Sequence, residues 1–160
     1  MGVRSIEEEG GAAYPTGRLE KFRAWTRSPL AALPAFLPWT VLVLYSGFIF
    51  YMSSREVLPR MPRFPHADKV FHCGAYCAWA LTCATAVYRS RPSWSLRSIA
   101  LVAALSGAAY GITDEIHQAY VPGRSADVWD WAADSVGASL GGFCCAKWLR
   151  GSDTAARASR

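Results

Sequence analysis

At 160 residues, with 52% hydrophobic and only 18% charged side chains, the chain is one domain, too apolar and too charge-poor for an ordinary soluble fold. Its net charge of +5 does not read as a nucleic-acid footprint, because the basic residues fall in tails and in loops between apolar runs rather than along one face. Seven Trp, seven Tyr and seven Phe, many near the ends of apolar runs, are distributed like interfacial anchors, and the mean hydropathy stays at +0.10 because polar tails dilute the apolar segments.

The five cysteines, Cys73, Cys77, Cys83, Cys144 and Cys145, lie inside apolar runs. Their number is odd and none sits in a polar turn, so buried free thiols are expected rather than disulfides or a zinc site.

Residues 1–35 read as a polar tail with the acidic run Glu7, Glu8 and Glu9 and several basic residues, without the early apolar stretch of a secretory signal. Leu19, Phe22 and Trp25 are spaced to lie on a membrane surface, with Pro29 and Pro34 limiting any such helix; a disordered tail is the equal alternative. Residues 36–149 carry four apolar segments. Phe36 to Met52 is uncharged, with Pro38 tolerated in its first turn, and covers roughly 25 Å at 1.5 Å per residue. A proline-rich loop follows, with Pro59, Pro62 and Pro65. The second segment runs from Val70 to Tyr88, the third from Ile99 to Gln118, and the fourth from about Asp127 to Leu149. Residues 150–160 are expected to be a disordered tail. The fold class expected is therefore all-α: an integral membrane four-helix bundle with polar N- and C-terminal tails. Most of the 17 basic residues lie in the two tails and in the loop around residue 93, which places both termini in the cytoplasm.

Polar groups converge on the opposite, external level. Asp68 and His72 are four apart on one helix face, with Lys69 beside them and Tyr76 continuing the stripe. Asp114 shares a face with His117 and Gln118, flanked by Glu115, and Asp130 and Asp134 are four apart on the fourth segment. Gly107 and Gly111 lie below Asp114, and Gly137 and Gly141 below Asp134, at a spacing that lets helices approach closely; the third and fourth segments are expected to meet along these faces. An acidic side chain in mid-membrane costs about 2.5–3.5 kcal/mol, so Asp134 needs a partner, and Lys69, Arg124 and His72 are the candidates. Beyond the Pro122-Gly123 turn, Ser125 is a candidate N-cap for the fourth helix. Arg124 with the free N–H groups there is a candidate phosphate seat, unless Arg124 pairs with Asp114 or Glu115. The plainer reading of the whole set is that these groups hold four helices together.

Asp68-Lys69-x-x-His72-x-x-x-Tyr76, Asp114-Glu115-x-His117-Gln118-x-Tyr120-x-Pro122-x-Arg124-Ser125 and Asp130-x-x-x-Asp134-x-x-Gly137 together resemble the VanZ-like family of small bacterial membrane proteins, over residues 36–149. The chain departs from the family pattern at Tyr120, where Phe is usual, and at Asp134, where Asn is usual; the second change adds a carboxylate. The resemblance implies a four-helix protein of the bacterial inner membrane, in a family whose name-giving member is associated with teicoplanin resistance.

Two functions follow as expectations. One is a non-enzymatic cell-envelope protein whose partners are the lipid bilayer and a lipid-linked cell-wall intermediate, altering glycopeptide susceptibility. Asp68, Lys69, Tyr76, Gln118, Arg124, Ser125 and Asp134 are its candidate binding residues. The other is a membrane enzyme acting on lipid phosphate or acyl groups, with His72 or His117 as general base and Asp114, Glu115 or Asp130 orienting it or holding a divalent metal. The spacing names no metal and no other cofactor. A proton or ion pathway ranks below both, because the first two segments lack mid-membrane charges.

Overall fold

The computed structural model describes residues 34–56 and 64–158, with side chains to residue 150. The expected interfacial helix at Leu19 to Trp25 lies outside the described residues. Among the described residues four helices follow one another: α1 Leu37–Ser53, α2 Ala67–Ser90, α3 Leu96–Gln118 and α4 Val128–Ala158. No strand occurs among the described residues, which are all-helical in architecture.

The helix boundaries have local causes. Pro38 sits at the start of α1, where its missing N–H costs nothing. Pro92 follows α2. Ser95 caps α3, its hydroxyl accepting from the Ser98 N–H at 3.0 Å. The α3–α4 turn runs through Gly123 at φ 78°, a left-handed backbone that glycine adopts without strain. Helices α2 and α3 each begin three residues before the expected segments, α3 at Leu96 rather than Ile99. Helix α2 starts at Ala67 rather than Val70, so Asp68 and Lys69 stand in its first turn. Helix α4 continues past Arg150 to Ala158. Ala155 and Ala156 favour helix, and extending an existing helix avoids the cost of nucleation.

Helix α4 is the centre of the bundle, packed mainly against α2 and then α3, while α1 lies chiefly on α2. The seat of α4 on α2 depends on two glycines. A Cβ at Gly137 would run into the Cys73 carbonyl, and one at Gly141 into the Cys77 carbonyl. The expected pairing of all four glycines between the third and fourth helices is therefore half right. Gly107 and Gly111 do face α4, at Ala138 and Asp134, but Gly137 and Gly141 face α2, and it is Gly142 that meets α3, at Ala100. The core built this way is of small and aromatic residues, with Tyr76, Trp79, Ala80, Ile99, Ala138 and Leu149 among the most buried.

Helix α1 is held by hydrogen bonds as well as packing. Trp79 Nε1 donates to Ser46 Oγ at 2.8 Å, Tyr110 Oη to the Ser46 carbonyl at 2.7 Å, and Tyr45 Oη to the Ala75 carbonyl at 3.2 Å. The outward faces are apolar: Val43 and Leu44 on α1, Leu101 and Leu105 on α3, and Leu140 and Phe143 on α4 are all more than half exposed. Large apolar side chains exposed on three helices suit an apolar surround. Helices α2 and α3 are each long and apolar enough to cross a membrane, and α1 is apolar but shorter, at 17 residues. All five cysteines are free; Cys83 and Cys145 are buried as expected, whereas Cys144 is exposed.

Candidate functional site

The N-terminal turns of α2 and α4 and the C-terminal turn of α3 meet at one end of the bundle. Lys69 Nζ binds three carboxylates, Asp68 at 2.9 Å, Asp127 at 2.6 Å and Asp130 at 2.7 Å, and so ties the start of α2 to the start of α4. Asp127 is the true cap of α4: its Oδ1 accepts from the Trp129 N–H at 2.9 Å, and its own N–H donates to Glu115 Oε2 at 2.7 Å. The Lys69 ammonium, followed by the Trp129 N–H, holds the Asp127 carboxyl below its ordinary value. The cap expected at Ser125 is thus displaced by two residues. The N–H groups expected to seat a phosphate are partly answered by the chain's own carboxylates, which leaves Arg124 as the cationic part of that seat.

One turn deeper, His72 lies between the other two helices. Its Nδ1 is 2.9 Å from Oδ1 of Asp134, and its Nε2 is 3.9 Å from Oδ2 of Asp130. Asp134 is fully buried and ionic partners are scarce at that depth, so an imidazole N–H donating to it meets the need the sequence exposed. Of the three candidate partners, His72 is the one that bonds it. On α3, Asp114 Oδ2 accepts from Gln118 Nε2 at 3.0 Å, and Gln118 Oε1 accepts from Arg124 Nη2 at 2.6 Å. Arg124 therefore reaches Asp114 through Gln118 rather than by a direct ion pair.

Each carboxylate in this inner group uses one oxygen and leaves the other without a hydrogen-bond partner. Asp114 Oδ1, Glu115 Oε1 and Asp134 Oδ2 are buried in this state, as is the hydroxyl of Tyr76. One donor atom from each of His72, Asp114 and Glu115 falls within 4.8 Å of the others. Beside them is a cavity of about 280 Å³. Its walls are Phe48, Ile49 and Met52 of α1 with Phe71 and Ala75 of α2, and His72, Asp114 and Arg124 also line it.

Two residues singled out from sequence do not join this group. His117 turns to α1, stacking on Phe50 at 4.2 Å between ring centroids with Nε2 2.9 Å from Ser54 Oγ. Ser125 is exposed on the turn. Asp127 stands at the positive end of the α4 dipole, where an acidic residue is expected, but its contacts with Lys69 and Glu115 carry no local sequence signal, and neither does the apolar wall from α1.

No curated protein matches the chain, and no solved structure matches it. The model of one family, described as VanZ/LLP1, matches residues 28–150, a stretch that includes every residue of the site just described. The chain is a member of the VanZ/LLP1 family.

Proposed function

We propose that this protein is a multi-pass protein of the bacterial inner membrane that binds a lipid or lipid-linked envelope intermediate at the outer leaflet, and thereby alters susceptibility to lipophilic glycopeptides such as teicoplanin. The observation that carries the reading is the cavity: an apolar wall of Phe48, Ile49, Met52 and Phe71 adjoins Arg124 and His72 in one space. Such a space suits a molecule with a hydrocarbon part and a polar head. Arg124 spends one hydrogen bond on Gln118 and retains further donors for an anionic headgroup. Both termini lie in the cytoplasm on this reading, which puts the site toward the exterior. Binding of a fluorescent, short-chain isoprenyl phosphate to the purified protein tests it. Arg124→Ala is expected to weaken binding and flatten its salt dependence. Affinity and salt dependence equal to wild type would remove Arg124 from the headgroup seat.

The bond between His72 and Asp134 favours a second reading, a membrane hydrolase or transferase acting on lipid phosphate or acyl groups. A carboxylate on Nδ1 fixes the tautomer and leaves Nε2 as the lone-pair nitrogen, as a general base requires. Asp130, Asp114 and Glu115 would orient the groups around it. Turnover of a lipid substrate that survives His72→Ala excludes this reading. His117, bonded on α1, is not needed for it.

A further inference from the structure

We propose that His72, Asp114 and Glu115 form a binding site for a divalent transition-metal ion, with Asp134 as the residue that orients the histidine. The inference rests on the cluster alone and holds whether or not a lipid fills the adjoining cavity.

Three independent features point to a cation. The first is the donor set: one atom each from an imidazole and two carboxylates, mutually within 4.8 Å. Metal–ligand bonds of about 2.0–2.2 Å place donors at most about 4.4 Å apart across an ion, so small side-chain rotations close the set. The second is the orphaned oxygens. Asp114 is 3% exposed and Glu115 8% exposed, yet each presents one oxygen without a partner. Such atoms are costly to bury unless something answers them. The third is the Asp134 contact. Metal-bound histidines commonly donate their other ring N–H to a carboxylate, and Asp134 Oδ1 stands 2.9 Å from Nδ1, which turns Nε2 into the lone-pair nitrogen.

Charge balance gives the same answer. Lys69 is shared by Asp68, Asp127 and Asp130, and Arg124 reaches Asp114 only through Gln118. Glu115 and Asp134 have no Lys or Arg partner among the described residues. A divalent ion between His72, Asp114 and Glu115 supplies the missing positive charge. One imidazole with carboxylates suits Mn²⁺, Fe²⁺ or Zn²⁺ better than Ca²⁺ or Mg²⁺, which take oxygen ligands, and offers no thiolate to select copper(I). An anionic headgroup entering beside four carboxylates meets repulsion without such an ion and attraction with it.

Mn²⁺ is the probe of choice, since it is paramagnetic and indifferent to the nearby Cys73 and Cys77 thiols. The full-length protein is purified in detergent, stripped with chelator and titrated with Mn²⁺ under electron paramagnetic resonance. The expected result is saturable binding of one ion per chain, with spin-echo modulation from a single imidazole nitrogen. His72→Asn is expected to abolish the nitrogen signal. Asp134→Asn is expected to weaken binding by about 10–100-fold, the usual loss when the group behind a metal-bound histidine is changed. His66→Asn, at an exposed position whose φ of 61° asparagine tolerates, leaves binding unchanged. Absence of saturable binding by wild type, absence of nitrogen coupling in the wild-type complex, or coupling that persists in folded His72→Asn protein overturns the proposal. The nitrogen signal is read on wild-type protein, so the test stands even where a variant fails to fold.

Discussion

The Nδ1 of His72 and the Oδ1 of Asp134 are 2.9 Å apart, joining α2 to α4 where Asp134 has lost all contact with solvent. Asn at 134 keeps an oxygen that can accept the same N–H but removes the charge. Asp134→Asn is therefore expected to fold with little change in thermal midpoint in detergent. Asp134→Leu removes the acceptor and strands the imidazole N–H, a loss of about 1–3 kcal/mol. Thermal unfolding of the two variants side by side checks this; equal and large losses would show that the charge, rather than the hydrogen bond, holds the helices.

Gly137 and Gly141 carry the approach of α4 to α2. An added methyl at either meets a backbone carbonyl, which cannot swing aside as a side chain would. Gly141→Ala is expected to destabilise by at least the ~1–3 kcal/mol typical of overpacking. Gly47→Ala in α1 meets nothing within 4 Å and is expected to be neutral or to gain up to about 1 kcal/mol from helix propensity. Melting temperatures of the pair decide, and a neutral Gly141→Ala would contradict the close seat.

The glycines also explain what the sequence could and could not yield. The stripes Asp68-His72-Tyr76, Asp114-Gln118 and Asp130-Asp134 are legible because helical spacing puts each on one face. Which stripe faces which is a matter of register between helices, and that is set by packing. Gly137 rides on Cys73, one residue beyond His72, and Asp134 is one turn before Gly137; that seat brings His72 rather than Lys69 or Arg124 to Asp134. Reading the glycines as an α3–α4 seam alone hides this register. The capping exchange at Asp127 was hidden for a related reason: Ser125, Asp127 and their neighbours all suit a cap, and the choice of Asp127 follows from Lys69 and Glu115 arriving from other helices.

Lys69 is the hub of the outer layer. Its side chain is 23% exposed, and Asp130 beside it 13%, whereas Asp68 is 54% exposed. Exposed pairs contribute about 0–1 kcal/mol and part-buried ones more, because a stranded carboxylate is costly. Lys69→Met is expected to lower the thermal midpoint clearly more than Asp68→Asn, which should be near silent. The reverse order would show that the three-way contact does not hold α2 to α4.

The same layer predicts acid sensitivity. Asp127 faces Lys69 and Asp68 and titrates below its ordinary value near 3.8 because the Lys69 ammonium favours its charged form. A carboxyl depressed in the folded state contributes stability that is fully present above its unfolded value and is lost as pH falls through the folded one. Wild type and Asp127→Asn are thus expected to differ by a constant amount above about pH 5 and to converge below about pH 4. Thermal midpoints taken across that range test it, and curves that stay parallel throughout would contradict the assignment.

On the proposed reading, side chains of separate helices build one ligand-holding site at the mouth of an apolar cavity. Native mass spectrometry of protein released gently from its membrane tests this most directly. The expected spectrum shows wild-type chain carrying a phosphate-bearing lipid or a divalent metal ion, with the lipid lost in Arg124→Ala and the metal lost in His72→Asn. Bare wild-type chain, or adducts that both variants retain in full, would contradict it.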